Sequence, residues 1–142
     1  MDSLDRPAPA KADVSLRVPA DGAYVSVLRT MTAGLAARLD FTVDDIEDLR
    51  IAVGEACALV LPEAVPGTDL VADFRLTPGT LTISVSVPTS GPRSADHDSF
   101  AWQVLTTLTS SAGADGDDSH FEVTFSTESS VPVAGGQAGA GG

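Results

Sequence analysis

A single cysteine, Cys57, in 142 residues excludes an internal disulfide and any multi-cysteine metal site. That count fits a reducing compartment. The thiol falls among the apolar positions of its helix, where a buried structural cysteine belongs rather than a reactive one. Basic charge is scarce as well, because 8 Lys and Arg against 20 Asp and Glu leave a net charge of −12. Such a surface repels phosphates, so it disfavours direct nucleic-acid binding and suits a basic protein partner, although acidity also serves solubility alone. No run approaches the ~20 apolar residues that a membrane span needs. Residues 1–12 contain no apolar signal core, and a cytoplasmic protein is expected.

What is present is enough apolar material, 43% of 142 residues, for one continuous core. One domain is expected over 13–128. The segments 1–12 and 129–142, the second rich in Gly and Ala, cannot offset their chain entropy and are expected to be unstructured. Val14, Leu16 and Val18 alternate with Ser15 and Arg17 as a strand stopped by Pro19. A helix should then run from Asp21-Gly22 to Leu39, with Val25, Leu28, Met31, Leu35 and Leu39 at three-and-four spacing. Thr42 suits the N-cap of a second helix, with Asp44 and Asp45 favourable in its first turn. Its core stripe is Ile46, Leu49, Val53, Cys57 and Val60, and Pro62 ends it.

Leu70, Ala72, Phe74 and Leu76 alternate with Val71, Asp73 and Arg75, and Leu81, Ile83, Val85 and Val87 alternate with Thr82, Ser84 and Ser86. Pro78-Gly79 between them makes the turn of an antiparallel hairpin. After the polar loop 88–98 a third helix starts at Ser99, with Phe100, Val104, Leu105 and Leu108 on one face. Residues 113–119 read as a loop, and Phe121, Val123 and Phe125 as the last strand. Strands with one apolar and one polar face need cover on one side only. The order β-α-α-β-β-α-β therefore gives an α+β two-layer sandwich, a mixed or antiparallel sheet with three helices on one face.

Three segments carry a family resemblance: Leu28-Arg-Thr-Met-Thr-Ala-Gly-Leu35, Asp48-Leu-Arg-Ile-Ala-Val-Gly-Glu-Ala-Cys57 and Ser99-Phe-Ala-Trp-Gln-Val-Leu-Thr-Thr-Leu108. In this order they are similar to the helices of RsbW/SpoIIAB-type anti-sigma factors, which have the GHKL (histidine-kinase-like, Bergerat-type) fold. The third looks like the corresponding helix of actinobacterial, mycobacterial-type sigma-F antagonists. The resemblance implies two activities. One is to hold an alternative sigma factor away from RNA polymerase. The other is to use ATP to phosphorylate a serine or threonine on an anti-anti-sigma partner of the STAS fold.

The second activity needs an oxygen or amide ligand for magnesium, a base, and backbone donors around the phosphates. Glu55 matches the family's general base. Leu59, one turn further along, stands in place of the family's metal-binding asparagine and has no lone pair. An Asp-x-Gly-x-Gly segment that reads adenine should follow Val87, but this chain has Pro88-Thr-Ser-Gly-Pro-Arg93, with Gly91 and no aspartate. The lead-in to the third helix, Ala95-Asp-His-Asp-Ser99, has no glycine to bare its amides for phosphate. Near a triphosphate, Asp96 and Asp98 would each add about 1 kcal/mol of repulsion at about 4 Å in water. The departures imply a degenerate site with no catalytic residue, no metal site and no cofactor, with residual binding of ATP and magnesium left open.

Arg29 matches a partner-facing arginine of the family, and on its own it reads as a solvated helix charge. Asp44, Asp45, Glu47 and Asp48 compensate a helix dipole and also suit a basic partner. Trp102 falls partly off its core stripe, as a partner contact or as rim packing. Asp96-His97-Asp98 has no further histidine or cysteine at ligand spacing, and Asp115-Gly-Asp-Asp118 lacks the pattern of a calcium loop. His120 only flanks a strand. The expected function is stoichiometric sequestration of a sigma-F-like factor, relieved by an anti-anti-sigma protein. The alternatives are an active serine/threonine kinase and an acidic module that mimics DNA. The homodimer usual in the family is left open.

Overall fold

A computed structural model describes residues 11–131; the ends expected to be unstructured lie, over 1–10 and 132–142, outside the described residues. β1 (Val14–Pro19) leads through a 3-10 turn, Gly22–Tyr24, into α1 (Val25–Arg38). The Asp21 carboxylate accepts from the Ala23 amide and caps that turn. The Thr42 hydroxyl accepts from the Asp45 amide at 3.1 Å and opens α2 (Val43–Val60). α2 ends in the Pro62-containing 3-10 turn Leu61–Glu63. Next come β2 (Asp69–Thr77) and β3 (Thr80–Pro88), whose tight connection needs Gly79 at a φ of 76°. Ser99 caps α3 (Phe100–Leu108), and β4 (Ser111–Gly116) and β5 (His120–Glu128) complete the chain.

The sheet order is β1-β2-β3-β5-β4, and every pairing is antiparallel. Ala72 faces Val85, and Val85 faces Val123, so the apolar alternations fall in register on one side. That side is closed by the helices. α2 is the middle one, packed between α1 and α3 and against β3 and β5. Its buried residues include Ala52 and Ala56 beside the expected Leu49, Val53, Cys57 and Val60. Phe74, Phe121 and Phe125 are the largest fully buried side chains, and burying each contributes roughly 1.5–3 kcal/mol. The other side of the sheet is polar. Thr82 pairs with Ser126 at 2.7 Å, Ser84 with Thr124 at 2.8 Å, and Ser15 donates to Asp73 at 2.6 Å.

Two expectations are corrected. Residues 111–116, partly read as a loop, form β4, because pairing to β5 (Ala114 opposite Val123) organises a stretch of Ala and Gly that has little strand preference of its own. Phe100, expected on the core face of α3, is 77% exposed, while Leu105 is fully buried. Five residues apart, the two side chains point about 140° away from each other around the helix. Among the described residues, no helix is long and apolar enough to cross a membrane.

Candidate functional site

The groove between α1 and α2 brings together two of the residues singled out by sequence. Arg29 and Glu55 line it with Glu47, Arg50 and Ile51, around about 390 Å³. Helical spacing along α2 puts Glu47, Arg50, Ile51 and Glu55 on one exposed flank. Arg29 reaches this flank because residue 54 is glycine. A β-carbon there would stand 2.7 Å from Nη2 of Arg29. One turn away, Cys57 is buried, and burial pushes its thiol up to about 12, with the charge of Arg29 pulling partly the other way. Arg50 and Glu47 form a loose ion pair at 3.7 Å. Two guanidinium groups, two carboxylates and a 47%-exposed isoleucine make a surface for side-chain recognition.

The resemblance implies a second half of the site where α2 ends and the segment 89–99 begins. Leu59 packs against the core cluster and offers no donor. Gly91 has a φ of 140°, and its carbonyl accepts from the Thr89 hydroxyl at 2.8 Å. Arg93 Nε donates to Glu63 Oε1 at 2.7 Å, tying the segment to the end of α2. Asp96 is spent on local turns, with its carboxylate accepting from the Asp98 amide and its carbonyl from the Ser99 amide. In the groove, Glu55 shares its lining with the carboxylate of Glu47.

The remaining residues are not gathered into one site. Asp44 is exposed and Asp48 half-buried. Asp45 is engaged, because its Oδ2 accepts from the Ser130 amide at 3.0 Å and the Ser130 hydroxyl at 2.8 Å. Desolvation raises its pKa, but the hydrogen bonds from Ser130 and Thr42 outweigh that and hold it below the ordinary carboxylate value. Trp102 lies on α3, packed against the core, with the His97 ring edge-on at 4.8 Å. Asp117 accepts from the amides of Ser119 and His120 and closes the β4–β5 turn. Sequence reasoning missed Ile51 and the Arg93–Glu63 pair. Ile51 could have been found, since it stands off the apolar stripe of α2. The ion pair joins positions 30 apart and has no local signal.

No family model matches the chain. It is similar to proteins named serine-protein kinase RsbW. One, from Halalkalibacterium halodurans, is 39% identical over 88 residues, covering 61% of this chain and 52% of that protein. Another, from Bacillus velezensis, is 43% identical over 51 residues, which is 36% of this chain and 32% of that protein. A third, from Bacillus thuringiensis, is 41% identical over 51 residues with the same coverage. The chain spans about half the length of the first of these relatives and about a third of the other two.

Proposed function

We propose that the protein is a stoichiometric antagonist of an alternative sigma factor of the sigma-F kind, displaced by an anti-anti-sigma partner of STAS fold, and that it transfers no phosphate. One observation carries the reading: Leu59, one turn beyond Glu55, is an aliphatic side chain set against the core where magnesium would need an oxygen. The likeness to the RsbW proteins supports the choice of partners. The groove of Arg29, Glu47, Arg50, Ile51 and Glu55 supplies a contact surface, and the −12 charge favours encounter with a basic, DNA-facing protein. Without turnover, inhibition follows mass action and saturates at equimolar antagonist.

The test is sigma-dependent transcription in vitro with purified components and no ATP. Inhibition that is complete near one equivalent and reversed by the STAS protein is expected. Undiminished transcription across the candidate sigma factors would remove the reading and leave an acidic module for some other basic protein.

A second reading, a serine-protein kinase, is favoured by the name of the relatives and by the presence of Glu55. Stable phosphoserine on the STAS partner in the presence of magnesium and ATP, lost in Glu55→Gln, would establish it in place of the first.

A further inference from the structure

We infer that Arg93 and Glu63 form a clasp that holds the segment 89–99, and with it the start of α3, without any bound ligand. Arg93 is attached on two sides of the fold. Its Nε donates to Glu63 Oε1 at 2.7 Å on the turn that ends α2, while Nη1 donates to the Pro92 carbonyl at 3.0 Å and Nη2 to the Ser90 hydroxyl at 3.4 Å. Its own carbonyl oxygen lies against the edge strand, 2.9 Å from where a β-carbon on Gly116 would be. The helix layer and the sheet are thus joined through one residue.

Apart from the Arg93 bonds, the segment is held at its end by the His97 ring edge-on to Trp102 at 4.8 Å and by the Asp98 carbonyl accepting from Gln103 Nε2 at 3.3 Å. The Thr89 amide donates to the Ser119 carbonyl at 2.8 Å, which fixes only its beginning. Further on, the bonds of Asp96 to Asp98 and Ser99 are local. Between Gly91 and Ser99, Ala95 is the apolar residue that packs against the core among the described residues. The ion pair is also tighter than Arg17–Asp69 at 3.4 Å and Arg50–Glu47 at 3.7 Å. With side chains 33% and 36% exposed, it is partly shielded from water yet open to ions. Its release frees the acidic tip, Asp96 and Asp98, and the exposed ring of Phe100 that follows them. The clasp is therefore sensitive to salt and to competing charges.

The inference concerns the chain alone and is independent of the sigma-antagonist reading. Amide hydrogen exchange followed by mass spectrometry tests it on the full chain, with 121–127 in β5 as an internal reference. Arg93→Gln should speed exchange across 89–99 by about two- to fivefold and leave the reference unchanged. Sodium chloride at high concentration should do the same to the wild type. The swapped pair, Arg93→Glu with Glu63→Arg, should bring the rate back. Should Arg93→Gln also disturb the reference, Glu63→Gln is read by the same criteria. Unaltered exchange in 89–99 overturns the clasp. So does acceleration that the swap does not reverse, which would mean packing by the arginine stem, and so does a wild-type segment that slows only when magnesium and ATP are added.

Discussion

Arg29 of α1 lies across Gly54 of α2, so close that a β-carbon on Gly54 would stand 2.7 Å from Nη2 and 3.2 Å from Nε. The obstacle is the tip of a long, flexible side chain, which can swing aside. Alanine also favours a helix interior over glycine by about 1 kcal/mol. Gly54→Ala should therefore leave the urea midpoint equal or higher, while moving Arg29 out of the groove and weakening capture of the proposed sigma factor. A loss of stability beyond about 1 kcal/mol would show the guanidinium to be pinned.

Gly116 presents the opposite case at a similar distance. A β-carbon there meets the carbonyl oxygens of Arg93 at 2.9 Å and His120 at 3.2 Å, which are backbone atoms that cannot rotate away. Gly116→Ala should cost about 1–3 kcal/mol in urea unfolding. Gly113→Ala on the same strand has nothing within 4 Å and serves as the control. Equal midpoints for the two variants would contradict the close approach of the 89–99 segment to the sheet edge.

This contrast also marks where the sequence was legible. The alternations at 70–76, 81–87 and 121–125 are strong because branched and aromatic residues take every second place, and all three became strands. The stripe of α2 and its Thr42 cap were readable for the same reason, local chemistry at fixed spacing. β4 was not, since Ala112, Gly113, Ala114 and Gly116 have no preference until β5 lies beside them. In the candidate site, the resemblance singled out Glu55 and Arg29, and the structure has both lining one groove. Gly54 as the reason they meet, Ser130 on Asp45, and Glu63 on Arg93 are contacts of the folded chain. No pattern along the sequence encodes them.

Two carboxylates should give stability profiles of opposite sign. Burial, then the nearby charges of Asp115 and Asp73, raise the pKa of Glu122, with Arg75 acting against them. A folded-state value above the unfolded one means that ionised Glu122 opposes folding at neutral pH. That opposition fades as pH falls through the raised value towards the unfolded one, about 4.3. For Asp45 the folded value is lowered, so its contribution is present above the unfolded value of about 3.9 and is lost as pH falls through the folded one. Thermal melts should show Glu122→Gln more stable and Asp45→Asn less stable than wild type at neutral pH. Both differences should shrink in melts below roughly pH 3.5. Differences that persist unchanged into acid would assign the effects to packing.

Cys57, fully buried and with its thiol pushed up to about 12, should be silent to thiol reagents in the native state at mildly alkaline pH. As the one cysteine of the chain, it then reports opening of the helix layer. Labelling should appear only as denaturant populates open states, with a midpoint matching the loss of circular dichroism. Rapid native labelling would mean that α2 detaches from the sheet well below the global transition.

Leu59→Asn supplies the side-chain oxygen whose lack the proposed function rests on, and so tests whether that one ligand decides the outcome. The substitution should cost about 1–3 kcal/mol, because Leu59 packs against the core and an amide there loses both apolar contact and hydration. Glu55 remains beside Arg29, Glu47 and Arg50, while Arg93 still grips Glu63, and Asp96 and Asp98 keep the approach to α3 negative. A metal recruited by one amide would have to hold a triphosphate against those charges. Incubation of the folded variant with radiolabelled ATP, magnesium and the proposed STAS-fold partner should therefore leave that protein unlabelled. Labelling that Glu55→Gln abolishes would instead show that a single aliphatic side chain had been silencing an otherwise intact kinase.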